Sequence, residues 1–364
     1  MNRLLKNLLI CICALGLSVT MAYGEELEPW GEFLPTGQYY TLVDPEGNVL
    51  LETGRLVYLQ DQYLTEHNQL YEVIKVDEDT HIARTELVEE VELEIFPWED
   101  LRRALNLAVL EGDSKDQKRG KIALYHTHNA ESYVSTDGTD SIFGRGGIHR
   151  VGAAFAEALA ALGIDVDYSE QLHLPHDRGA YRRSRETALE LLAKNPDAMF
   201  DVHRDAAPQG AYALQLKDEW VTRIQFVVGR QNQNLGVNRK YAQSLKKIAD
   251  ELYPGLVKGI FFGRGNYNQD LTPLNLLLEV GAHTNSRPAA ERGISLFAEV
   301  VDLYFYGATA EAASGQQSRM ANRSILSLLA FVGIGTMVFY VINAGGFGAA
   351  LERFKAILGR QKLK

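Results

Sequence analysis

Between residues 37 and 90, apolar and polar positions alternate in short runs separated by turn formers. Tyr39-Tyr-Thr-Leu-Val, the turn Asp44-Pro-Glu-Gly-Asn48 and Val49-Leu-Leu-Glu make a strand–turn–strand pattern. Leu56-Val-Tyr-Leu and Tyr71-Glu-Val-Ile-Lys-Val continue it. A period of two predicts strands with one face on a core, so this stretch reads as a small β-rich module. From Lys121 the pattern changes. Apolar runs of strand length (Ile122–Tyr125, Ile164–Tyr168, Ala198–Val202, Ile224–Gly229 and Leu274–Val280) alternate with helical segments. The helices are predicted over Val151–Leu162, stopped by Gly163, and over Tyr181–Lys194, Leu235–Leu252 and Ala289–Tyr306. That order predicts an α/β fold: a mainly parallel sheet flanked by helices, preceded by a small β-rich domain. Trp98–Leu110 reads as a connecting helix. The charged, turn-rich stretch Glu111–Gly120 is the linker that divides residues 25–110 from a second domain over 121–307.

Two longer apolar runs change the picture at the ends. Met1-Asn-Arg-Leu-Leu-Lys6 is a basic start to an apolar run reaching Met21, followed by small residues at Ala22 and Gly24. Residues 1–24 thus predict an export signal, or an N-terminal anchor if uncleaved; at about 15 residues the run is short for a spanning helix. Ser324–Ile342 is 19 residues without a charge, long enough to cross a bilayer. It follows a juxtamembrane linker over 308–323, and the 343–364 tail carries Arg353, Lys355, Arg360, Lys362 and Lys364 against Glu352 alone. The positive-inside rule places that tail in the cytoplasm and residues 25–323 outside the cell membrane.

A net charge of −10 over 364 residues argues against a nucleic-acid partner. The acidity is concentrated. From Glu25 to Lys118, 23 acidic residues face seven basic ones, which suits a solvated face. The two cysteines, Cys11 and Cys13, both lie in the N-terminal apolar run. An exported domain without cysteine must hold any metal through His, Asp or Glu.

Three predicted strand ends carry such residues: Tyr125-His-Thr-His-Asn-Ala-Glu131, Asp201-Val-His-Arg-Asp205 and Leu278-Glu-Val-Gly281. Neighbouring strand tips of a parallel sheet converge at one edge, where α/β enzymes collect their chemistry. If the strand persists past Tyr125, His126 and His128 point to the same side, and either is a candidate ligand. Glu131, three residues on, can return a carboxylate to the same ion, and His203 supplies a second imidazole. Two histidines and a carboxylate leave the fourth tetrahedral position of zinc open for water. Glu279 interrupts an apolar run, where an unpaired carboxylate is costly to bury, and is the candidate general base. Arg204 is a candidate fork for a substrate carboxylate, and Asp205 a candidate acceptor orienting a ligating histidine. His149, His173, His176 and His283 have no spacing that singles them out.

The motifs Tyr125-His-Thr-His-Asn-Ala-Glu-Ser-Tyr133, Arg150-Val-Gly152, Ala180-Tyr-Arg-Arg-Ser184, Asn195-Pro-Asp197, Asp201-Val-His-Arg-Asp-Ala206 and Leu278-Glu-Val-Gly281 occur in that order. Over residues 120–307 the chain resembles the stage II sporulation protein P family, a branch of the zinc N-acetylmuramoyl-L-alanine amidase superfamily. The resemblance implies an α/β fold, Zn2+ as cofactor and peptidoglycan as substrate, with endopeptidase cutting of cross-links as a further activity. It implies a role in forespore engulfment beside other sporulation proteins, including a lytic transglycosylase. Carried over by position, it favours His128 over His126 as first ligand, His203 as second and Glu279 as catalytic glutamate. Where the superfamily's ligand glutamate usually opens the next helix this chain has Ile148-His149-Arg150, which leaves Glu131 as the substitute. The resemblance also implies an N-terminal membrane segment, whereas here the second apolar run lies at the C-terminal end. The alternative expectation is a membrane-tethered scaffold or binding module with an amidase-like fold and no turnover; a metallopeptidase or carboxyesterase acting on another exported substrate would use the same chemistry.

Overall fold

The computed structural model describes residues 34–307, apart from residues 36, 104–119, 178 and 217. The expected export signal, almost all of the 111–120 linker, the 324–342 span and the basic tail lie outside the described residues. Among the described residues no helix is long and apolar enough to cross a membrane.

Thirteen strands are described: β1 (Tyr40–Val43), β2 (Val49–Thr53), β3 (Gln62–Thr65), β4 (Gln69–Asp77), β5 (Ile82–Glu90), β6 (Lys121–Tyr125), β7 (Asp165–Tyr168), β8 (Ala198–Asp205), β9 (Ala213–Leu216), β10 (Glu219–Thr222), β11 (Ile224–Gly229), β12 (Val257–Gly263) and β13 (Asn275–Ala282). The helices are α1 (Trp98–Arg103), the short α2 (Val134–Asp137), α3 (Ile148–Ala161), α4 (Ala180–Leu192), α5 (Leu235–Leu252) and α6 (Arg287–Tyr306). Eleven strands make one sheet in the order β2-β1-β5-β4-β3-β12-β11-β13-β8-β6-β7, and β9 and β10 form a separate hairpin. From β12 to β7 every neighbouring pair is parallel except β11 with β13. The predicted α/β class, with its mainly parallel sheet, is what the chain adopts there.

Burial follows the alternation of a strand. Ile122, Leu124, Phe200 and Val202 face a core shared with Phe155 of α3, Tyr241 of α5 and Phe297 of α6. Ala123, Tyr125 and Met199 face the other side, against Ala188 and Leu191 of α4. Asp201, His203 and Asp205 therefore share the α4 face. Glu279 lies level with His203 across the β13–β8 ladder. β8 and β13 are buried at every position, as strands covered on both faces must be. α3 stops where expected: Gly163 is left-handed at φ 83°, and the N–H groups of Gly163 and Ile164 donate to the carbonyls of Ala160 and Leu159, a Schellman closure.

The β-rich stretch joins this sheet rather than standing apart. β3 pairs antiparallel with β12, aligning Leu64 with Ile260 and Thr65 with Gly259. Gly259 permits the approach, since a Cβ there would lie 2.4 Å from the Leu64 carbonyl oxygen. Tyr40, Leu42, Leu51, Val57 and Val73 then share a second core with Tyr181, Phe261 and Leu277. The expected strand at Leu56–Leu59 is a connection instead; Val57 is apolar because it packs into this core, not because it joins a ladder. β3, β5 and β12 were not evident in the pattern, and glycines bounding and interrupting Val257–Gly263 hid the last of these.

Candidate metal centre

The tips of β6 and β8, on the α4 face, bring the predicted ligands together. β6 ends at Tyr125, and the chain turns as Asp201 accepts the Thr127 N–H (2.8 Å) and hydroxyl (2.6 Å). Because the strand does not persist, His126 and His128 part. His126 turns to the α3 side, its Nδ1 2.7 Å from the Val202 carbonyl and its Nε2 2.9 Å from the Tyr168 hydroxyl. Gly152 leaves room for that ring, since a Cβ there would lie 2.4 Å from Nε2. His126 is thus not a ligand candidate. His128 is, and its ring lies 5.0 Å from that of His203, centroid to centroid.

Glu131 sits between the two imidazoles. Its Oε1 is 3.4 Å from His128 Nδ1 and 3.4 Å from His203 Nδ1, and its Oε2 accepts the Arg204 backbone N–H at 2.9 Å. Charge-assisted hydrogen bonds from nitrogen to a carboxylate run shorter, about 2.7–2.9 Å. Two donors on one tetrahedral zinc, each about 2.0–2.1 Å from it, stand about 3.3–3.4 Å apart. The spacing matches that of two ligands on a shared ion, and the one to His203 also meets hydrogen-bond geometry. His203 Nε2 lies 2.9 Å from Asp201 Oδ1, which places a carboxylate beside this imidazole.

A fourth donor comes from the loop after β7. His176, with His128 and Glu131, completes a group whose ligand atoms all lie within 4.8 Å of one another. Two candidate triads thus share His128 and Glu131: exposed His176 completes the group within that limit, whereas buried His203, 3.4 Å from Glu131, is not in it. His149 and His173 are engaged elsewhere: His149 Nε2 is 3.4 Å from Asn129 Nδ2, and His173 contacts the His126 carbonyl and Thr187 hydroxyl at 2.8 Å each. His283 is not in the group.

The electrostatics suit cation binding. Burial holds His128 down to about 3, so its imidazole is neutral. Burial opposes charge on His203 as well, yet the Asp201 and Glu131 carboxylates hold it up to about 10. Burial works against ionised Glu131 too, but His203, His128 and Arg204 keep it well below the usual carboxylate range. The pocket carries net demand for a positive charge, met by the imidazolium or by a metal. Tyr181 of α4 covers the site, its ring parallel to His203 at 6.1 Å and edge-on to His128 at 5.2 Å.

Glu279 is fully buried beside His203. Its Oε1 accepts two N–H groups of Arg55, from Nε at 3.0 Å and Nη2 at 2.5 Å, while its Oε2 has no hydrogen-bond partner among the described residues. Burial raises its carboxyl to about 7 against the pull of Arg55. Arg55 reaches the site from the β-rich stretch, 224 residues away in sequence.

Two predicted roles fall elsewhere. The Arg204 guanidinium donates to the carbonyls of Ser132 (3.2 Å) and Asp140 (2.9 Å), so its fork braces the loop instead of facing a substrate. Asp205 does not orient a ligand. Its Oδ1 accepts Thr53 Oγ1 (3.1 Å) and Gly54 N (2.9 Å), and its Oδ2 accepts Tyr212 Oη (2.8 Å). The carboxylate beside His203 is Asp201 instead. The period of two puts Asp201 on the same face as His203, and that was the signal for it. His176 follows a strand end like the others, whereas nothing in the pattern links Arg55 to Glu279.

Fold and site together define an α/β protein with a cluster of histidine and carboxylate side chains near the tips of parallel strands. The chain belongs to the stage II sporulation protein P family, whose profile matches residues 55–302 and so extends into the β-rich stretch. Stage II sporulation protein P of Bacillus subtilis (strain 168) is 32% identical over 219 residues, 54% of each chain. The chain spans about half the length of that relative. Among solved structures, the N-acetylmuramyl-L-alanine amidase Ami1 from Mycobacterium smegmatis is 12% identical, covering 51% of this chain and 96% of its own at a TM-score of 0.35. The CwlD amidase from Clostridioides difficile, solved in complex with the GerS lipoprotein, is 14% identical, covering 51% and 98% at a TM-score of 0.33.

Proposed function

We propose that the chain is an exported, membrane-held peptidoglycan hydrolase: a zinc-dependent N-acetylmuramoyl-L-alanine amidase acting in sporulation, with endopeptidase cutting as a second activity of the same site. The observation that carries this reading is Glu131 Oε1 set 3.4 Å from two imidazole nitrogens, beside a second buried glutamate. Family membership supports the sporulation setting and the cell wall as substrate, with other engulfment proteins, a lytic transglycosylase among them, as partners. The uncharged segment 324–342 and the apolar N-terminus support export and anchoring.

His128, Glu131 and His203 would hold the ion. When bound there, zinc supplies a Lewis acid that acidifies a water and polarises an amide carbonyl. The proton traffic falls to Glu279, whose carboxyl at about 7 is matched to base work near neutrality. Its Oε2 takes the proton of the attacking water and returns it to the alanine nitrogen as the C–N bond breaks. The muramic lactyl group leaves as a carboxylate and the stem peptide with a free amino terminus.

Purified sacculi treated with the zinc-loaded protein are expected to release stem peptides with free N-terminal alanine, identified by mass. Glu279→Gln is expected to fold and bind zinc but to release them about 100–10,000-fold more slowly. Stem peptides that stay on the glycan with the native protein, or full release by the variant, would sink the reading.

A further inference from the structure

We infer that Arg55 is a positioning residue for Glu279: a hook of Thr53, Gly54 and Arg55, clasped by Asp205, fixes the carboxylate so that one of its oxygens is left for proton transfer. This rests on the role proposed for Glu279 above. The clasp is built from short contacts. Asp205 Oδ1 accepts from Thr53 Oγ1, Gly54 N and Ala206 N at 3.1, 2.9 and 2.7 Å. Gly54 lies so close to Ala206 that a Cβ would stand 2.5 Å from the Ala206 Cβ. The hook is thereby pressed onto the tip of β8, two residues beyond His203.

From this anchor the Arg55 guanidinium lies over the Tyr267 ring, 5.1 Å from its centroid, and sends both Nε and Nη2 to the same oxygen, Oε1 of Glu279. A fork that gripped both oxygens would occupy the whole carboxylate. A pincer on one oxygen removes the freedom of the side chain and leaves Oε2 without a hydrogen-bond partner among the described residues. A lysine could neutralise Glu279 but could not form this rigid two-point grip. The strands of residues 40–90 are consequently part of the catalytic unit, because they carry the residue that aims its base.

The test uses the zinc-loaded protein and soluble wall fragments. Arg55→Lys keeps the charge, and Gly54→Ala keeps the guanidinium but displaces the hook. Each is expected to lower kcat about 100-fold, as an ångström of misplacement does, with KM within about twofold. One zinc per chain should remain. Arg55→Ala in a Glu279→Gln background should add no further loss. A native kcat in Arg55→Lys would overturn the inference, as would losses that multiply in the double variant or that appear as lost zinc. Should Arg55→Ala fail to fold, the other two variants decide. If the native chain releases no product, the amidase reading fails, and a crystal structure of Arg55→Lys judges the hook alone: a displaced Glu279 side chain sustains it and an unmoved one overturns it.

Discussion

His203 Nε2 lies 2.9 Å from Oδ1 of Asp201, two residues earlier on the same strand. The contact follows from the pleat, since positions two apart share a face. With Nε2 turned to Asp201, Nδ1 faces Glu131. Asp201 also accepts both the N–H and hydroxyl of Thr127, so one carboxylate ties the tip of β6 to that of β8. The two histidines that flank Glu131 are held by the same anchor.

Replacing Asp201 by Asn should therefore weaken zinc without removing a ligand. Loss of an orienting carboxylate typically costs about 10–100-fold in metal affinity. Competition with a chromogenic chelator reads this directly. Unchanged affinity would mean that Asp201 serves the fold alone.

The two overlapping triads make different demands. With His128, Glu131 and His203 as ligands, alanine at either His128 or His203 should abolish stoichiometric zinc in elemental analysis of the folded protein. His126→Gln should retain zinc, because that ring bonds to Val202 and Tyr168 on the other side. His176→Ala should also retain it. Loss of zinc in His176→Ala and retention in His203→Ala would transfer the third position to the loop after β7.

The ligand cluster was legible because apolar runs ending in His or Glu are strand tips, and tips of neighbouring parallel strands must meet. Strand tips brought His126, His128, His203 and Glu279 to one edge and spacing added Glu131, whereas the preference for His128 came from the family resemblance. What the pattern could not show was direction beyond the strand. His126 parts from His128 because the chain turns at Asp201, and that turn is made by tertiary hydrogen bonds with no local signal. Asp205 was expected beside His203 because, like Asp201, it shares that face. Only the passage of Thr53 and Gly54 beside it decides which partner each meets. Arg55 illustrates the remaining gap: an apolar run interrupted by Glu279 calls for a cation, but no periodicity chooses among 37 lysines and arginines.

Lys258 offers a test of the β3–β12 junction that is independent of the metal. Its side chain is 5% exposed, with Nζ 4.1 Å above the Tyr212 ring, and burial lowers it to about 8 despite the nearby Asp205. Between about pH 8 and the ordinary lysine value of about 10.4, the unfolded chain binds more protons than the folded one. Stability from this group must then rise with pH across that window, by at most about 1.4 kcal/mol per unit. Lys258→Met removes the dependence. Chemical denaturation at steps from pH 7 to 10 should show the native protein gaining on the variant as pH rises. Common titrations, including those of the buried tyrosines, cancel in that difference. A difference that stays flat would show that Lys258 keeps its proton in the folded chain, and that the Tyr212 ring and Asp205 together offset the cost of burying the ammonium.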